Sequence, residues 1–465
     1  MIRIGQKLVR TWSALGPRFL PFSDAASPEL PLSRLLRLSL FQVSVGMALV
    51  LLVGTLNRVM IVELNVPASL VAIMISLPVL FAPLRALIGF KSDTHRSALG
   101  WRRVPYIWKG TLIQFGGLAI MPFALLVLSG GGNSQQWPVW IGHAGAGLAF
   151  LLVGAGVHIT QTAGLALATD LAPVEAQPKV VGLMYVAQLL GMMLSAVVFG
   201  ALLEDFSPAR LIQVIQGSAV ATMALNLLAL WKQETRNRAL TSGQRQHPTF
   251  AASWDKFRQG EHALRRLAVV GLGTMAFSMQ DVLLEPYGGQ ILGLDVASTT
   301  KLSATLALGG LMGFGLASHV LGRGADAFRM SLWGVLVGMP AFCAVIGAAP
   351  LASPMIFALG VWMIGLGGGL FAHGTLTATM NMAPGDQTGL ALGAWGAVQA
   401  TSAGVAVALG GVLRDSVALA TTPVSAYATV YSIEIVLLLA TAMAMAPLLR
   451  RRTTQPLPTE TASSA

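Results

Sequence analysis

Apolar stretches of about 20 residues, long enough to cross a hydrocarbon core of about 30 Å as helix, recur along nearly the whole of this 465-residue chain. Twelve of them stand at about 38 to 62, 68 to 90, 104 to 128, 139 to 168, 180 to 203, 209 to 231, 266 to 290, 299 to 321, 329 to 349, 353 to 380, 388 to 413 and 423 to 449. In lipid every backbone N–H and C=O must be satisfied within its own segment, so runs of this length predict helices. The expected fold class is an all-α membrane protein with twelve transmembrane helices. Composition agrees, with 54% hydrophobic and 11% charged residues, against about a quarter charged in soluble domains.

The net charge of +11 reads as topology. Lys and Arg cluster before the first span, from Lys91 to Lys109, from Lys232 to Arg266 and at Arg450 to Arg452, whereas only Arg210, Lys301 and Arg414 fall in connections on the other side. The positive-inside rule then places both termini in the cytoplasm and leaves no role for nucleic acid. The expected organisation is a cytoplasmic N-terminal segment (1–37), a first six-helix half (38–231), a cytoplasmic linker (232–265), a second six-helix half (266–450) and a disordered tail (451–465). Ile4, Leu8, Trp12 and Leu15 would line one face of a surface helix; a solvated tail fits the same residues. Cys343 is the single cysteine, which excludes an intramolecular disulfide.

The halves are repeats of each other. Gly89, Asp93 and Arg96 match Gly322, Asp326 and Arg329 at a constant offset. A second alignment pairs Asp170 with Asn381, Pro173 with Pro384, Gln188 with Gln399, Gly200 with Gly411 and Glu204 with Asp415. Both halves therefore run in the same sense. Parallel duplication of six helices is the arrangement of the major facilitator superfamily, whose halves meet around a site near the membrane midplane. The segment at 89–110, with Arg102 and Arg103 after the Gly-Asp-Arg skeleton, resembles that superfamily's cytoplasmic signature between helices 2 and 3. The physical expectation for these residues is structural or gating, with direct ligand contact as the alternative: Asp93 accepts from helix N-termini and arginines, while the arginines pin helix ends.

The wording is more specific than the superfamily. RFLPFSDAASPELPLSRLLRLSLFQVSVGMA (18–48), GTLNRVMIVELNVPASLVA (54–72), GFKSDTHRSALGWRRVPYIW (89–108), QFGGLAIMPFALLVLSG (114–130) and MQDVLLEPYGGQILGL (279–294) resemble the PucC and LhaA proteins of purple phototrophic bacteria, the bacteriochlorophyll delivery branch of that superfamily. The resemblance implies an assembly factor in the bacterial inner (intracytoplasmic) membrane. Such a factor would bring bacteriochlorophyll to the α and β polypeptides of a light-harvesting complex (LH1 or LH2), or hold those polypeptides while pigment is inserted. Its implied partners are the antenna polypeptides or a core antenna complex, pigment-synthesis enzymes and membrane lipid.

Ionisable residues at membrane depth are costly and mark function. Arg58, Asp281, Glu285 and Glu434 qualify. Asp281 and Glu285, four apart, would share one face of helix 7, and Arg58 of helix 1 would pair with one of them. Bacteriochlorophyll magnesium keeps an axial position open to imidazole, amide oxygen or water. The candidate ligands are His158, with Gln161 one turn on, His319 near the end of helix 8, and His373, which falls at the depth of His158 in the repeat. A histidine between helices is more often a packing residue, and pigment bound on a lipid-facing groove would need none.

No enzyme constellation stands out: there is no Walker-type phosphate loop, metal-spaced Cys and His cluster, or Ser-His-Asp set. Two other readings compete with antenna assembly. One is a proton-coupled secondary transporter of a small solute acting through Asp281 or Glu285. The other is a pigment-free scaffold binding antenna helices through the small-residue face of Gly309, Gly310 and Gly313.

Overall fold

The computed structural model describes residues 30–81, 85, 88, 92, 100–130, 134, 136–173, 176–234, 259, 262–321, 323–382 and 388–449. In chain order the helices are α1 (Leu32–Glu63), α2 (Ala68–Val79), α3 (Val104–Leu128), α4 (Val139–Leu171), α5 (Gln177–Leu202), α6 (Pro208–Leu230), α7 (Ala263–Gln290), α8 (Val296–Leu321), α9 (Ala327–Ala348), α10 (Pro354–Met382), α11 (Thr388–Ala418) and α12 (Pro423–Leu449). Eleven are long and apolar enough to cross a membrane; the described part of α2 is shorter. The chain is a multi-pass membrane protein.

Helix starts follow local chemistry. Asp326 caps α9, accepting the backbone N–H groups of Phe328 at 2.9 Å and Arg329 at 3.0 Å. Ser207 does the same for α6, with Pro208 in the first turn where its missing N–H costs nothing. The first helix begins at Leu32 rather than at 38. Its start is tied down by Arg34, which donates to the side chain and the carbonyl of Gln233 beyond α6. Gln233, expected to open a polar linker, is fully buried.

Buried side chains form two large cores. One gathers residues of α1 to α6, together with Val296 and Ala304 of α8; the other gathers α7 to α12, together with Ala72 of α2. The exchanged residues show how the halves grip each other, α8 against α5 and α2 against α11. Glycines paired in the repeat make the two contacts. A methyl on Gly200 of α5 would lie 3.2 Å from the carbonyl oxygen of Ala297, and one on Gly411 of α11 would lie 2.7 Å from that of Ala68. Without side chains there, the helices close backbone to backbone.

Two helices depart from regular winding at the centre. The second half of α1 is π-wound over Val50–Leu56 and Val59–Glu63. Helix α7 breaks after Ser278 into a 3-10 turn, Met279–Val282, and resumes at Leu284. Backbone groups freed inside a membrane need partners, and both sides of the break have one. Glu434 of α12 accepts the N–H of Gln280 at 2.7 Å, and Asn57 of α1 donates to the carbonyl of Val282 at 2.9 Å.

Candidate functional site

At the end of the bundle where α1 starts, Glu234 takes the backbone N–H groups of Arg102, Arg103 and Val104 at 2.6, 3.1 and 2.9 Å. A carboxylate there satisfies the open N–H groups of α3 and faces the positive end of its dipole. Arg103 is buried and donates to Asp170 of α4 at 3.0 Å and to the hydroxyl of Ser92. Arg102 reaches the same carboxylate at 3.4 Å. These arginines tie α3 to α4. Arg329, beside the cap Asp326, is exposed. Gly89, Asp93, Arg96 and Gly322 lie outside the described residues.

Deeper in the first half, Arg85 donates to Thr162 at 3.1 Å and to the amide oxygen of Gln161 at 3.0 Å. Gln161 in turn donates to Gln188 of α5 at 2.9 Å and to Gln42 of α1 at 3.4 Å. Side chains of α1, α4 and α5 thus converge with Arg85 on one polar cluster. The sequence reading overlooked Arg85, although an arginine inside the 68–90 span was the signal. The oxygen of Gln161 thus already accepts one hydrogen bond, from Arg85.

An aromatic chain that starts three residues before Gln188 crosses into the second half. Tyr185 of α5 stands 6.3 Å from Phe314 of α8, and Phe314 stands 4.4 Å from the ring of His373 on α10. His158 and His373 are both half-buried, and each keeps a buried Nδ1 with no hydrogen-bond partner. An orphaned ring nitrogen in an apolar interior is unfavourable, so both imidazoles fit a ligand that takes up one nitrogen. His319, expected among the buried candidates, is exposed in the last turn of α8.

The intramembrane charges differ from expectation. Arg58 pairs with Glu63 and donates to the carbonyl of Leu294 at 3.3 Å, while Glu285 accepts from Ser303 at 2.6 Å. The reason is the π-winding of α1, which stacks residues five apart. The break in α7 means that Asp281 and Glu285 do not share a regular helical face, yet both line one cavity of about 130 Å³.

The small-residue face of α8 is likewise occupied. Methyls on Gly309 and Gly313 would lie 2.9 and 3.1 Å from the backbone nitrogens of Leu366 and Leu370, so these glycines pack α8 onto α10.

A family model described as PUCC protein matches residues 55–453. The chain belongs to the PUCC family. Protein PucC of Rhodovulum sulfidophilum is 62% identical over 437 residues, covering 93% of this chain and 96% of that one. Protein PucC of Cereibacter sphaeroides is 60% identical over 455 residues, covering 97% and 98%. Among solved structures, a bacterial homologue of the human lysosomal transporter Spinster superposes with a TM-score of 0.63 at 14% identity, covering 89% of this chain and 95% of that one. This PUCC chain therefore has the major facilitator fold of two parallel six-helix halves. The cluster around Arg85 and the cavity at the break in α7 both lie in its interior.

Proposed function

We propose that the protein is a non-enzymatic assembly factor for light-harvesting complexes, LH1 or LH2. It holds bacteriochlorophyll between its halves and passes it to antenna α and β polypeptides or to a core antenna complex. The observation that carries this reading is the pair of imidazoles, His158 of α4 and His373 of α10, each with an unpartnered buried nitrogen, the second of them packed on Phe314. His158 or His373 would offer a neutral ring nitrogen to the pigment's magnesium, and Tyr185 and Phe314 would supply aromatic surface for its ring. Arg85 holds Gln161 and Thr162 of α4 in place beside the pigment. Delivery requires contact with lipid and with pigment-synthesis enzymes. The protein sits in the inner (intracytoplasmic) membrane with both termini in the cytoplasm, as the clustered basic residues favour.

A second reading, a proton-coupled transporter of a small solute, is favoured by the acid-lined cavity at Asp281 and Glu285. The pigment-free scaffold has lost its proposed docking face to α10. Deleting the protein from a phototrophic host separates the two that remain. Antenna complexes should disappear while pigment synthesis continues; intact antenna complexes would rule out the assembly role.

A further inference from the structure

Two buried side chains at the break in α7 each leave an oxygen without a partner. Glu285 is buried, accepts from Ser303 through Oε1, and leaves Oε2 without a partner. Gln280 is also buried; its Nε2 donates to the carbonyl of Phe277 and to Asp281, and its Oε1 has no partner. Gln280, Asp281, Glu285 and Ser303 all line the same cavity, whose remaining walls are apolar apart from Gly54. Gly54 is needed there, because a methyl would come within 2.8 Å of the Ser303 hydroxyl and closer still to Glu285. Arg58, one turn after Gly54 in α1, gives its two terminal nitrogens to Glu63 and Leu294 and does not line the cavity.

Two carboxylates, an amide oxygen and a hydroxyl around a small apolar chamber form a hard donor set with no positive charge of its own. Unwound helices commonly hold coupling ions in membrane proteins of this architecture. Here the unwinding is held open from both sides, by Glu434 on Gln280 and by Asn57 on Val282.

We propose that this cavity binds a hard metal cation through the oxygens of Gln280, Asp281, Glu285 and Ser303. The ion offsets the charge of the Asp281 and Glu285 carboxylates and locks the broken segment of α7 against α1 and α8. The site is distinct from the imidazole pair and does not rest on the pigment reading.

The test is binding of radiolabelled Na+ and Ca2+ to the detergent-purified full-length protein, with an organic cation of matched ionic strength as control. At least one metal should bind saturably, and Glu285→Gln should weaken it about tenfold or more, the loss of about 1.4 kcal/mol. Ser303→Ala keeps both carboxylates and should weaken binding about threefold, so it decides the matter should the first variant fail to fold. Saturating metal should also raise the melting temperature by about 3 °C. Absence of saturable binding by either metal overturns the proposal. So does binding that neither variant changes, or a melting temperature that responds to pH and to no metal.

Discussion

The carboxylate of Glu434 on α12 accepts the backbone N–H of Gln280 on α7 across 2.7 Å, at the first residues of the 3-10 turn that interrupts α7. A buried acid is here the partner of a buried amide that helix geometry no longer serves. The turn is thereby anchored to α12 at its first residues and, through Asn57 on Val282, to α1 at its last, so its position reports on both. Glu434→Ala leaves that N–H unpaired and should cost about 1–3 kcal/mol. Glu434→Gln keeps an acceptor and should cost clearly less; equal losses by thermal unfolding would refute the capping role.

Glu234→Ala removes the acceptor shared by three N–H groups at the start of α3. The expected cost is about 1–2 kcal/mol, that of a strong helix cap. Glu234→Asp should recover part of it in a melting experiment, whereas a neutral Ala variant would show that Arg103 and Asp170 suffice.

Gly411→Leu drives a side chain into the backbone of α2 at Ala68. Because overpacking costs about 1–3 kcal/mol, the variant should melt lower or hold the α2–α11 seam open. Accessibility of a cysteine placed at Ser69 should rise in that variant. Unchanged labelling and melting together would contradict close packing at this seam.

Arg85→Met strips the donor from Gln161 and Thr162. Leaving buried acceptors unpaired should destabilise the protein by about 1–3 kcal/mol. Gln161→Leu should cost less on that background than in the unaltered chain, since Arg85 no longer needs its oxygen; a purely additive double variant would argue that the two residues are not coupled.

The membrane class, the spans and the duplication were legible because they rest on run length and repeat spacing, which survive in one dimension. Gly200 and Gly411, paired only by alignment, make matching contacts between halves. The winding of α1 and α7 was not legible. MQDV continues an apolar run without a break in composition, and nothing in residues 50 to 63 announces a π-helix. That hid the Arg58–Glu63 pair, whose spacing of five does not face in an α-helix. Arg85 was missed for another reason: its partners, Gln161 and Thr162, lie 76 and 77 residues away in the chain.

The absorption spectrum of the purified full-length protein tests the central claim most directly. Bacteriochlorophyll should copurify with the unaltered chain, fall in His158→Phe and in His373→Phe, and be lost in the double variant. Full pigment occupancy in the folded double variant, or a pigment-free protein that still binds α and β polypeptides, would contradict pigment delivery through this pair.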